Sequence, residues 1–348
     1  MKQALLLRPE KQENKTEKRR SLGTLALSQF VLLNSRKKWG IMYMLATISG
    51  IFVPVIGIYP TVVDHGATSF ILTTLPRTIP LAAASFLIIT GMYILNDLVD
   101  ADLDKSNGKK RPIPSGQVTK SQAFLFVILS NSIGLLLTLF TFNISSLIFA
   151  SVIVGIGLMY SAPKISLKDR FVLKTLSIAA ASMLCLLMGS SYALNVFHVD
   201  QHLTTVYSYN VTYNSLLVSC VYAASMSGSI IFITSLLNDL GDVEGDKAFG
   251  RRTIPVKLGK KNAVIMTIVI AASMIIISWT LYYWLPKGVG IVSPILVSAV
   301  ATVAIARMAG ILKHLTDSEF IRKQHKKSIL WHLMLQGSLI VGAMLIWI

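Results

Sequence analysis

Charge is what this sequence has least of. Only 14% of its 348 residues are Asp, Glu, Lys or Arg, against about 25% in an ordinary soluble domain. With 53% of the residues apolar, that scarcity excludes a water-soluble globule and points to a membrane protein. Cysteine is scarce too. Cys185 and Cys220 both fall inside apolar runs, which excludes a disulfide framework and a zinc site. No cleavable signal is expected, because the first 38 residues carry ten Lys/Arg and three Glu and no apolar core ahead of a small-residue cleavage site. Acids are half as frequent as bases, 16 against 33, for a net charge of +17. In so apolar a chain this excess reads as a positive-inside signal, and no nucleic-acid partner is expected.

A membrane-crossing helix needs about 20 mostly apolar residues. Nine such runs are expected, near 39–59, 76–95, 121–142, 145–160, 175–192, 213–237, 263–285, 289–312 and 328–347. The fold class is therefore an all-α polytopic membrane protein. With the N-terminus in the cytoplasm, every Lys and Arg except Arg77 and Lys287 falls on the cytoplasmic side. That split sets the orientation as N-in and C-out, and it offers a basic surface to anionic membrane lipids. Residues 1–38 read as a basic cytoplasmic segment whose KQENKTEKRR stretch is expected to be disordered. Residues 39–348 read as one transmembrane domain.

The few acids are concentrated. Half of them lie in Asp97–Asp104 and Asp239–Asp246, each at the cytoplasmic end of an apolar run. NDLVDADLDKSNGKK from Asn96 and NDLGDVEGDKAFGRR from Asn238 align without gaps and share seven of fifteen residues, an internal repeat at an offset of 142. In each window the acids follow i, i+3, i+7 spacing: Asp97, Asp100 and Asp104, then Asp239, Asp242 and Asp246. Such spacing places them on one face of a helix reaching past the membrane surface. Asn96 joins the first set four residues before Asp100. Like charges on one face at a low-dielectric boundary repel and need a compensating cation. Carboxylate oxygens with no His or Cys nearby suit Mg²⁺ completed by water and a substrate phosphate. A solvated polar helix end would explain one such window, but it does not explain two with identical spacing. Asp102 and Glu244 point to another face and read as solvated surface.

Each acidic window runs into a basic one. Lys105, Lys109, Lys110 and Arg111 precede PIPSG, and Lys247, Arg251 and Arg252 precede TIPVKLG. Metal-bridged carboxylates beside Arg and Lys suit a diphosphate. A third basic segment, YSAPKISLKDR from Tyr160, lies on the same side.

These motifs resemble the UbiA-type intramembrane prenyltransferases. NDxxDxxxD with a basic Pro-rich turn matches Asn96–Asp104 and RPIPSG, DxxDxxxD matches Asp239–Asp246 with Gly250, and the Tyr-Ser-x-Pro element matches Tyr160–Pro163 with Lys168 beyond it. The resemblance runs from about residue 30 to the end of the chain. It implies nine helices around a central apolar cavity whose mouth is cytoplasmic. It also implies transfer of a polyprenyl chain from its diphosphate to a lipid or aromatic acceptor. Two Mg²⁺ ions would be held by Asn96, Asp97, Asp100, Asp104, Asp239, Asp242 and Asp246. Catalytic roles would fall to Asp100, Asp104, Asp242, Asp246, Arg111 and Tyr160, and substrate binding to Lys105, Lys168, Lys247, Arg251 and Arg252. Of the last two, Arg252 is the arginine the motif favours.

Within that family the DVEGDKAFGRRTIPVKLG stretch is most similar to the archaeal digeranylgeranylglyceryl phosphate synthases, which implies an ether-lipid acceptor. Homogentisate and chlorophyll prenyltransferases share its EGD…G…LG skeleton and imply an aromatic or chlorin acceptor instead. An ion-coupled transporter is the rival from another class, but its acids would lie near the bilayer midplane. His198 and His202 in the external loop, and the sequons at Asn143 and Asn210, are assigned no role.

Overall fold

The computed structural model describes residues 9–56, 67–106, 110–199, 213–284 and 289–344, all of whose regular structure is helical. The helices are α1 (Pro9–Ile56), α2 (Ala67–Val99), α3 (Ala101–Ser106), α4 (Lys120–Leu139), α5 (Ile144–Ser161) and α6 (Phe171–Val199). A 3-10 turn at Leu167–Asp169 precedes α6. Then follow α7 (Tyr213–Gly241), α8 (Val243–Ala248), α9 (Ile254–Leu258), α10 (Lys260–Trp284), α11 (Val292–Leu312) and α12 (Ser318–Met344). Lys109, Lys287, His202 and Asn210, and the side chain of His198, lie outside the described residues.

The chain is a multi-pass membrane protein, but the expectation of nine crossings is corrected. Among the described residues seven helices are long and apolar enough to cross a membrane: α2, α4, α5, α6, α7, α10 and α11. The first and last expected spans fall short for identifiable reasons. In α1 the apolar stretch begins only after Arg36, Lys37 and Lys38, and its expected end at residues 57–59 is outside the described part. In α12 the stretch from Ser328 contains fully buried His332 and Gln336, and residues 345–347 are again outside it. Both helices nevertheless pack on the bundle, α1 against α6 and α2, α12 against α7 and α11. The KQENKTEKRR stretch, expected to be disordered, is instead the first part of α1, which continues unbroken past residue 38.

Local signals explain the helix boundaries. Thr119 and Gln122 form a reciprocal capping box at the start of α4. Asn143 caps α5 by accepting from the Ser146 N–H at 2.7 Å, and its amide nitrogen donates to the Ser191 carbonyl at 3.1 Å. The sequon at Asn143 is thus a buried structural cap. Outward-facing Ile133, Leu136, Val269 and Ile276 stay exposed, as lipid contact requires. Helix α7 is the most enclosed of the seven spans and forms the centre of the bundle.

In a membrane no hydrophobic force drives helix against helix, so close backbone approach must supply the packing. The α1–α6 contact does so with two glycines. A Cβ at Gly50 would stand 1.9 Å from the Leu186 carbonyl oxygen, and one at Gly189 would stand 2.1 Å from that of Thr47. Gly189→Val must therefore separate the two helices. We expect it to cost about 2–3 kcal/mol, read as a lowered melting temperature of the purified protein in detergent. Gly155→Val, where a Cβ meets nothing within 4 Å, should leave the melting temperature unchanged.

Candidate active site

The two acidic motifs close onto one cavity. Neither motif lies on a single uninterrupted helix, as the spacing suggested. Helix α2 stops at Val99 and α7 at Gly241, and a one-turn helix restarts after each break, at Ala101 and Val243. Asp100 and Asp242 occupy the two breaks. The backbone remains bonded across them, Asp104 N to Asp100 O at 2.8 Å and Asp246 N to Asp242 O at 2.9 Å. Both repeats thus present the same device at the end of a long apolar helix.

Every carboxylate of the two motifs is met by a cation. Asp97, buried on α2, accepts from Arg36 Nε at 2.6 Å and from a terminal nitrogen of the same guanidinium. Arg111 Nη1 donates to Asp97 Oδ1 at 2.8 Å and also to buried Asp104. Lys168 Nζ lies 2.7 Å from Asp100 Oδ1 and 3.4 Å from Asn96 Oδ1. Lys174 Nζ lies 2.6 Å from Asp239 Oδ1. Arg322 Nη2 reaches Asp242 Oδ1 at 3.1 Å near the surface.

Arg251 ties the halves together. It comes from the second repeat, yet its Nη2 lies 3.3 Å from Asp100 in the first. Its Nε lies 3.2 Å from Asp169, and its Nη1 3.8 Å from Asp246. Burial acts to lower its pKa, but the three carboxylates outweigh burial and raise it. The Asp246 carboxyl is raised as well, because burial outweighs Lys174 and Arg251.

The cavity enclosed by these groups holds about 220 Å³. Asn96, Asp100, Arg111, Tyr160, Lys168, Asp239, Asp242, Asp246 and Arg251 all line it. An apolar cavity lies beside it, lined by Ile89, Met92, Ile153 and Ile156. Tyr43, Tyr93, Asn96, Tyr160 and Ile178 border both. Trp39 stacks on Tyr93 at 5.3 Å between ring centroids and on His325 at 6.3 Å, which walls the cavity on the α12 side.

Among the expected site residues, Lys105, Lys247 and Arg252 are exposed and do not line this cavity. The arginine that enters is Arg251 rather than Arg252, whose backbone N–H is held by the Asp169 carbonyl at 3.2 Å. Asp97 and Asp104 sit behind the cavity wall on their arginines. Sequence reasoning missed Arg36, Lys174, Asp169, Arg322, Trp39 and His325. Lys174 did carry a signal, as the one charged residue in the apolar run of α6.

Among the described residues no three His, Cys, Asp or Glu side chains stand together as a ready cage for a metal ion. The second cluster nevertheless has the right oxygens for a hard cation. Oδ2 of Asp239 and Oδ2 of Asp246 are both buried without a hydrogen-bond partner, a costly state for anionic oxygen unless a cation meets it.

A membrane bundle that gathers a duplicated aspartate motif and a ring of Arg and Lys above an apolar cavity defines an intramembrane site for an amphiphilic polyanion. The chain belongs to the UbiA prenyltransferase family, whose pattern matches residues 67–332, about three-quarters of its length. It is 27% identical over 202 residues to the digeranylgeranylglyceryl phosphate synthase of Pyrococcus furiosus, covering 58% of this chain and 62% of that protein. The chain thus matches about three-fifths of that relative's length. Its fold is that of a solved digeranylgeranylglyceryl phosphate synthase structure, with a TM-score of 0.63 at 21% identity over 92% of this chain and 99% of that one. It is also that of a UbiA homologue from Archaeoglobus fulgidus solved with GPP and Mg²⁺, with a TM-score of 0.52 at 15% identity over 89% of this chain and 99% of that one.

Lys174 and Asp239 are both buried, and removing one partner of such a pair leaves the other charge stranded. Lys174→Met should cost about 3–5 kcal/mol, seen as a lowered melting temperature. The double variant Lys174→Met with Asp239→Leu should recover most of that loss.

Proposed function

We propose that this protein is an Mg²⁺-dependent prenyltransferase. It moves a polyprenyl group from its diphosphate to an acceptor in the membrane, with geranylgeranylglyceryl phosphate as the best-fitting acceptor. One observation carries this reading: a cavity ringed by carboxylates of both repeats and by Arg111, Lys168, Lys174 and Arg251 shares five lining residues with an adjacent apolar cavity. A diphosphate head with an isoprenoid tail has that same division. The similarity to the Pyrococcus enzyme supports the ether-lipid acceptor.

Asp239, Asp242 and Asp246 would hold one Mg²⁺, and Asn96 with Asp100 a second. Mg²⁺ held there would supply positive charge that stabilises the diphosphate as a leaving group. The contacts of Asp97 and Asp104 fit a positioning role, holding Arg36 and Arg111 in place. Arg111, Lys168 and Arg251 take up the negative charge that develops as the allylic C–O bond breaks. Tyr160 borders both cavities, and its hydroxyl is the donor assigned to the same group. Ile89, Met92 and Ile153 keep water from the allylic carbon. The acceptor hydroxyl forms the new C–O bond, Asp100 takes its proton, and pyrophosphate leaves. The grouping of Lys and Arg at this end of the bundle supports a cytoplasmic mouth.

The test is pyrophosphate release from radiolabelled geranylgeranyl diphosphate with Mg²⁺, supplying geranylgeranylglyceryl phosphate or an aromatic acid as acceptor. Product is expected with the glyceryl phosphate, and absence of release with any acceptor overturns the reading. Asp100→Ala and Asp242→Ala should each lower turnover at least about 10³-fold while inserting normally. Lys105→Gln should stay near the parent rate.

A further inference from the structure

A third cavity, separate from the two described, holds about 590 Å³ between α1 and the loop after α3. Its lining is polar and mainly basic at one end, where Arg36, Lys110 and Arg111 accompany the single carboxylate of Asp97, and apolar at the other, with Phe30 and Val31. Arg36 and Arg111 also border the diphosphate cavity, so the two compartments share a wall.

The donors of that wall are only partly used. Arg36 engages Asp97 through Nε and one terminal nitrogen. Arg111 satisfies both Asp97 and Asp104 through Nη1 alone. A guanidinium carries five N–H donors in a planar fork, so each arginine keeps N–H groups that these carboxylates do not take up. Exposed Lys110 forms no ion pair among the described residues. Two planar forks and an ammonium suit the several acceptor oxygens of a phosphate monoester. On the outer surface of α1, Leu27 and Phe30 are 63% and 64% exposed, an apolar ridge leading away from the basic end. A ligand with one phosphate and a hydrocarbon chain matches both ends. An aromatic acid matches the basic end only.

We propose that this compartment seats the phosphate of the acceptor lipid, apart from the donor's diphosphate, with its chain along Leu27 and Phe30. The proposal rests on the prenyl-transfer reading and deepens it. Seated there, an acceptor phosphate lies against the far side of the Arg36–Asp97–Arg111 wall from the diphosphate cavity. Lys110 is the residue to change, because it serves this cavity and does not line the diphosphate cavity.

Binding is measured first, by native mass spectrometry of the full-length protein without Mg²⁺ or donor. The probes are geranylgeranylglyceryl phosphate, the same ether lipid lacking its phosphate, and inorganic phosphate as competitor. Lys110→Glu should weaken the phosphorylated lipid about tenfold or more, leave the dephosphorylated lipid unchanged, and be largely rescued by Lys110→Arg. In the transfer assay the same change should raise KM for the acceptor while KM for the donor and kcat hold. Equal binding of the phosphorylated lipid to parent and Lys110→Glu overturns the proposal. So does a parallel rise in both KM values, which would place Lys110 at the diphosphate cavity. Displacement by inorganic phosphate at the lipid's own affinity would show a site for free anion and overturn the lipid assignment. Should no acceptor be prenylated at all, the prenyl-transfer reading fails, while the binding measurement still decides whether the cavity holds a phosphate lipid.

Discussion

Burying several carboxylates at the edge of a low-dielectric slab is the constraint on which this structure depends. An isolated buried charge is prohibitive, and a buried pair is tolerated only when its geometry and hydrogen bonds are nearly complete. The bundle meets that demand by drawing cations from many places. Arg36 arrives from α1, Lys168 from the 3-10 turn, Lys174 from α6, Arg251 from the loop after α8 and Arg322 from α12. Because Asp97, Asp100, Asp239 and Asp242 are each paired with a cation from a distant segment, placing these acids also fixes how the segments meet. Arg251 does this across the internal repeat, binding Asp100 of one half while rising from the other.

The same pairing shapes the chemistry. Carboxylates occupied by Arg and Lys leave few oxygens exposed, and the two orphaned ones, on Asp239 and Asp246, mark where positive charge is still wanted. Cations that satisfy carboxylates in the free protein are those that the proposed diphosphate substrate would also attract, so its binding would exchange partners without creating a charged site from nothing. The adjacent cavity carries little polar lining, chiefly apolar walls and the tyrosines it shares with the polar one.

Much of this was legible in the chain. Apolar runs locate the seven spans found among the described residues, since length and hydropathy are direct consequences of crossing hydrocarbon. Two matched Asp windows locate the site, since acids are too few to cluster twice by accident. The rest was hidden for physical reasons. Three Asp at i, i+3 and i+7 look the same on a straight helix and across a break, so the interruptions at Asp100 and Asp242 leave no mark in spacing. Arg36 sits in a run with Lys37 and Lys38, where an orientation signal explains it fully. Arg251 and Arg252 are adjacent, and only the turn at Gly250, with φ of +68°, decides which enters the cavity. The count of crossings failed at the two ends, where the apolar stretch of α1 starts late, after Arg36–Lys38, and that of α12 contains buried His332 and Gln336.

The repeat also fixes a parity. Among the described residues three crossings, α4, α5 and α6, separate α2 from α7, so both helices traverse the membrane in the same direction and their Asp-bearing ends emerge on one face. Removing any single one of those three would invert α7 and carry its half of the motif to the opposite leaflet, however faithfully every aspartate was kept. Helices between the two motifs can therefore be gained or lost only in pairs, whereas the ends of the chain outside them are under no such rule.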